Sequence, residues 1–239
     1  MNVDIASNFY PYINTQPSYI DLSEAVSVPR KICDYLIDAP KGAYTPPDNN
    51  DYSRCRLWKY LYYDTAKPLN EPLPTISQKM DVVFNPDAPD TPPTERGYRL
   101  IPQIWTKQSQ TAAQTQIYVY MGRTIPSNDE LKIVLGVNFF IWTHYQYEAN
   151  TRTDAYSRAF AIEQAIIESL HGVNMTGIGT FSLSKAKHPD CGSRTVFDGD
   201  TNVGRELVMA LEFATTAPSG SDETENMPFI DKLGKVRLA

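Results

Sequence analysis

Apolar residues in the middle of the chain change their spacing several times, and each change marks an element. Over residues 116–121, Ile117, Val119 and Met121 alternate with Tyr118 and Tyr120, the two-residue period of a strand covered on one face. Residues 131–145 are apolar on both sides, with Ile133, Leu135, Val137, Phe139 and Ile141 set against Val134, Phe140 and Trp142. A strand of that kind is either central in its sheet or meets another chain with its second face. The turn residues at 125–129 make these two strands an antiparallel pair. The period then lengthens: Tyr156, Ala159, Phe160, Ile162, Ile166, Ile167 and Leu170 predict a helix over 154–171, capped by Thr153 or Asp154 and closed by Gly172. Further strands are expected over 177–185 and 205–213, with an edge strand over 99–106. Residues 188–204 between the last two read as a projecting loop. Strands run around one helix give an α+β fold over residues 96–216: a small, mainly antiparallel sheet with one long helix packed on one face.

The first 95 residues follow a different grammar. Fourteen of the 18 prolines fall within the first 102 positions, which limits both ladder pairing and long helices there. Two short helices are predicted in this loop-rich region. One is capped by Ser27, with Val28, Ile32, Tyr35 and Leu36 on one face, and the other runs over 53–64 with Leu57, Trp58, Leu61 and Tyr62 as its stripe. Residues 65–93 are rich in turn formers and are expected to be a long surface loop that contacts a neighbouring subunit. Residues 217–239 read as an acidic tail.

Composition narrows the function classes. A net charge of −6 disfavours non-specific binding to nucleic acid. No run is long and apolar enough for a membrane span, and the opening residues lack signal-peptide features, so the expectation is a cytoplasmic protein without a membrane partner. Three widely spaced cysteines, Cys33, Cys55 and Cys191, suggest reduced thiols rather than a disulfide framework or zinc site. Fifteen tyrosines, nine of them before residue 64, suit surfaces covered by other chains.

Candidate chemistry is sparse: no catalytic, cofactor or metal set is predicted. His188-Pro189-Asp190-Cys191 has nucleophile-and-base residue types at unspecific spacing. Glu163 falls inside the apolar stripe of the predicted helix, where a carboxylate needs a cation. It is read as a structural buried carboxylate paired with Arg99, Arg158, Arg205 or a subunit neighbour. The alternative is a hydrolase that uses Glu163 or the loop at 188–191.

The stretch from Leu131 to Phe213 resembles the tail-terminator proteins of long-tailed bacteriophages. The apolar strand LKIVLGVNFFIWTHY, the helix DAYSRAFAIEQAIIESLHG, the strand over 176–185 and the closing NVGRELVMALEF carry the likeness. The resemblance implies a structural virion protein of the tail or neck, assembled in the host cytoplasm as a ring, commonly a hexamer. It would join the tail tube protein to the head-tail connector or stopper, with DNA passing through without being gripped. Tyr10, Tyr12, Tyr19, Val134, Phe140 and Trp142 then become candidates for subunit contacts. Glu206, Glu212, Asp190, Asp198 and Asp200 become candidates for an acidic channel wall, or are ordinary solvated positions. The long N-terminal region departs from the family's compact form, which leaves another neck, tail-completion or adaptor role as the alternative.

Overall fold

The alternating stretches and the doubly apolar one between them become the longest strands of the sheet. The computed structural model describes residues 23–37, 52–85, 96–103, 114–127, 132–151, 157–175, 178–198 and 202–214. Helix α1 (Val28–Ile37) follows a 3-10 turn at Ser23–Ser27, then come α2 (Tyr52–Tyr62), a 3-10 turn at Pro68–Asn70 and α3 (Ile76–Met80). Strands β1 (Leu100–Ile101), β2 (Thr115–Pro126) and β3 (Lys132–His144) precede α4 (Tyr145–Thr151) and α5 (Arg158–Leu170). The chain then forms β4 (Asn174–Met175), β5 (Gly179–Ser182), β6 (Gly192–Asp198) and β7 (Asn202–Ala214). The strand order is β1-β2-β3-β7-β5-β4, and β6 shares the outer edge of β7 with β5. Among the described strands only β1 and β2 pair in parallel, so the molecule is an α+β fold on a mainly antiparallel sheet.

β3 explains its own doubly apolar sequence. It pairs with β2 on one side and with β7 on the other, from Lys132↔Ala214 to His144↔Asn202. Its odd-numbered residues, with Ile117 and Val119 of β2 and Leu207, Met209, Leu211 and Phe213 of β7, form the core beneath Ile162, Ile166 and Leu170 of α5. Each such side chain, fully buried, contributes about 1.5–3 kcal/mol.

The N-terminal helices belong to this same core. Val28, Ile32 and Leu36 of α1 and Leu57, Trp58 and Leu61 of α2 are all buried within it, so the packing runs straight across the compositional change at residue 95. The last carbonyls of α1, which have no partner inside a helix, are met from α2. Arg54 donates to the Tyr35 carbonyl at 3.0 Å and Trp58 Nε1 to that of Leu36. Tyr35 Oη in turn donates to the Ser169 carbonyl of α5 at 3.2 Å.

Several expectations need correction. The cap of α5 is Ser157, whose Oγ accepts from Phe160 N at 3.0 Å, while Thr153 and Asp154 lie outside the described residues. Gly172 has the expected left-handed backbone, φ 79°. The segment after α2 is not plain loop, because Thr75 and Gln78 form a reciprocal capping box that supports α3. Residues 188–204 do not project freely, since β6 pairs with β7 through seven residues. Tyr35, Tyr60 and Tyr62 are 3%, 6% and 7% exposed, so these tyrosines are covered by their own chain and not by another. Tyr10, Tyr12, Tyr19 and the segment 217–239 lie outside the described residues. None of the described helices is long and apolar enough to cross a membrane.

Candidate functional site

The buried carboxylate of α5 meets its cation across the helix–sheet interface. Glu163 is 4% exposed, and both of its oxygens accept from Arg205 of β7, through Nε and, at 3.3 Å, through Nη2. Arg205 also donates to Thr195 Oγ1 at 3.1 Å and Ser193 Oγ at 2.9 Å on β6, and its guanidinium lies 5.1 Å from the Phe160 ring centre. A two-pronged pairing holds the planes of carboxylate and guanidinium together and so orients both side chains. The other two arginines that the sequence offered as partners are engaged elsewhere.

Those two build a second buried network that sequence reasoning missed. Arg99 is 2% exposed and grips both oxygens of Asp64, while its Nε donates to the Arg96 carbonyl at 2.9 Å. Arg158, fully buried at the start of α5, donates to the carbonyls of Tyr63 and Thr65 just after α2. Burial lowers the Arg158 pKa from its ordinary value, opposed by the nearby Asp64 and Glu148 carboxylates. Tyr147, whose ring lies 5.3 Å from that guanidinium, has its hydroxyl raised by burial and then by Asp64. Nothing in local periodicity signals this network, because its members come from four separate stretches. Burial likewise pushes the Cys33 thiol far up, and all three cysteines are free.

The second face of the sheet, opposite α5, is only partly covered by the described residues. Phe140 and Trp142 stack with ring centres 5.2 Å apart, and Tyr118 lies 6.3 Å from Phe140. Trp142 lies flat over β7 because residue 204 is glycine: a Cβ there would sit 2.5 Å from Trp142 Cε3. Phe140, Trp142 and Tyr120 remain partly exposed. Val134 departs from the expectation that it contacts another subunit, since it is 4% exposed and packed with Cys191 and Ala210 of its own chain.

Beside the aromatic row lies a cleft of about 460 Å³, walled by Arg123 and Asn138 on one side and by Lys185 and residues 188–194 on the other. His188 is part of its floor and is fully buried. Its Nδ1 accepts from Asp190 N at 3.3 Å, which leaves Nε2 carrying the proton donated to the Arg123 carbonyl at 3.0 Å. The ring packs on Gly136, where a Cβ would come within 3.0 Å of Cε1. Both ring nitrogens are therefore spent on main chain, and His188 pins the loop 183–191 to β2. Cys191 Sγ donates to the Ser182 carbonyl at 4.0 Å. His188→Ala is expected to cost about 2 kcal/mol, since it removes packing and orphans the Arg123 carbonyl. A urea denaturation curve checks this, and an unchanged midpoint would contradict the structural role.

The carboxylates proposed for a channel wall each occupy a different setting. Glu206 pairs with Arg194 at 2.5 Å and Glu212 with Lys187, both on the second face. Asp190 is exposed at the cleft, Asp198 ends β6, and Asp200 lies outside the described residues. Burial, then the Glu206 carboxylate, raises the hydroxyl of Tyr120 beside that pair. Among the described residues no group of three or more His, Cys, Asp or Glu is placed to hold a metal ion.

No curated protein and no solved structure matches the chain. A family model does match, over residues 55–208, from within α2 through β6 and into β7. That span takes in the ionic network around Arg158, the Glu163–Arg205 pair and the cleft, and it covers more than half of the sequence, so the chain belongs to the YomW family, a phage-associated family.

Proposed function

We propose that the chain is a structural virion protein, a tail terminator that assembles as a hexameric ring and joins the phage tail tube to the head-tail connector. The observation that carries this is the aromatic row on the second face of the sheet. Trp142 lies over Gly204 and stacks on Phe140, and both, with Tyr120, remain partly exposed, the pattern of a surface that another chain covers. The rigid α+β layer behind it, braced by Glu163–Arg205, suits a part whose role is mechanical, with no reaction and no cofactor. In such a ring, pairs such as Arg194–Glu206 and Lys187–Glu212 give a wall of compensated charge along which DNA slides without being gripped. The phage-associated family supports the setting in a virion tail or neck.

The purified protein, alone and with the tail tube protein, is expected to give rings of fixed symmetry by negative-stain imaging and a matching mass by light scattering. Trp142→Ser with Phe140→Ser is expected to shift the population to folded monomer. Monomer at high concentration even with tube protein present, or rings untouched by the double substitution, would sink the proposal. The N-terminal helices, built into the same core, favour as second reading another neck or tail-completion component. Images that place the protein within the neck, away from the end of the tube, would select it.

A further inference from the structure

The cleft beside His188 has an electrostatic character at odds with the rest of the chain. Its charged lining is Arg123, Lys185 and Arg194 against Asp190 and Glu206, an excess of one positive charge in a protein of net charge −6. Glu206 is taken up by Arg194. Among the described residues neither Arg123 nor Lys185 has an ion-pair partner, and both side chains belong to exposed residues. The walls are firm. Arg123 lies within the register shift between Met121 and Thr124, but its carbonyl is fixed by the buried His188, so the main chain that presents its guanidinium is held in place. Across the cleft, Gly192 has φ 141° with open space where a Cβ would be.

Strand β7, which forms the back of the cleft through Glu206 and Val208, ends at Ala214 and leads into the most acidic run that follows it, Asp222-Glu223-Thr224-Glu225. The way back from Ala214 to Val208 is about 20 Å at ~3.3 Å per residue. The eleven residues from Ala214 to Glu225 can span up to about 36–40 Å, enough to turn round the end of the sheet and reach Arg123 and Lys185. We propose that this cleft is the docking site for the chain's own acidic segment 222–225, whose carboxylates pair with Arg123 and Lys185. This holds whether or not the chain forms rings.

The test uses the full-length protein. A fluorescent peptide copying residues 217–228 is titrated against the wild type and against Asp222→Asn/Glu223→Gln/Glu225→Gln. A tethered segment competes at an effective concentration of order millimolar, so the neutralised variant is expected to bind the peptide about tenfold more tightly than the wild type, and less so as salt rises. Adding Arg123→Glu and Lys185→Glu is expected to abolish that binding, and a peptide with lysine in place of its three carboxylates to restore it. Circular dichroism confirms that these exposed substitutions leave the fold intact. Equal binding by wild type and neutralised variant, no binding by either, or binding that survives Arg123→Glu/Lys185→Glu overturns the proposal. So does tighter retention of a single-stranded oligonucleotide of similar length, which assigns the cleft to phosphodiesters instead.

Discussion

Glu163→Ala is expected to destabilise the protein by about 3–5 kcal/mol, because it strands a guanidinium at the helix–sheet interface. Arg205 would keep Ser193 and Thr195 as neutral partners and Phe160 beneath it, but would lose the only carboxylate that its described contacts provide. Glu163→Gln retains an acceptor for one prong and is expected to cost less, about 1–2 kcal/mol. The pair as a whole need not be worth that much, since bringing two ions out of water offsets much of their attraction. Glu163→Leu with Arg205→Met is therefore expected to recover most of the loss. Urea unfolding followed by the fluorescence of the buried Trp58 measures all four proteins. A double variant no more stable than Glu163→Ala would mean that the two side chains are not coupled, contrary to the geometry.

How much of this was legible depends on where the information lies. β2, β3, β7 and α5 could be read from spacing because each buries a repeating set of positions against the same core. β6 could not, since Ser193, Arg194, Thr195 and Phe197 are exposed and its place is set by pairing with β7 rather than by burial. α3 was missed for a related reason: five residues hold no period, and the Thr75–Gln78 box that stabilises it reads as part of a turn. At the candidate site, an apolar helix stripe demanded a cation for Glu163, with Arg99, Arg158, Arg205 or a subunit neighbour as the candidates. Register then decides, because Arg205 shares a face of β7 with Leu207 and Met209. His188 shows the opposite case. Its partners, Arg123 and Gly136, lie more than 50 residues away, so only the folded chain reveals that a loop with nucleophile-and-base residue types uses its imidazole as a peg. The tyrosines misled for a physical reason too, since an amphipathic ring suits a helix–helix seam with a carbonyl at its edge as well as it suits an interface, as Tyr35 and Ser169 demonstrate.

Gly179→Ala is expected to cost at least about 4 kcal/mol, through a clash that no side-chain motion relieves. The residue has φ 126°, and an added Cβ would lie 1.8 Å from the Glu212 carbonyl oxygen and 2.8 Å from its carbon. Both obstacles are main chain of β7, so either β5 or β7 must move. β5 is the weaker of the two, held to β7 by the three residues Thr180, Phe181 and Ser182, whereas β7 pairs with β3 along its whole length. Moving β5 withdraws the fully buried Phe181 from the core and breaks the bonds by which Gly172 N and Phe181 N tie the end of α5 to the sheet, at 2.9 and 3.0 Å. Gly172→Ala is the matched control: its φ of 79° imposes the same kind of backbone strain, but nothing lies within 4 Å of the new Cβ, so it is expected to cost only about 1 kcal/mol. Chemical denaturation of the two variants separates backbone strain from collision. Equal losses would show that the close approach of β5 to Glu212 does not fix the register, and with it the placement of Lys187 against Glu212 on the second face.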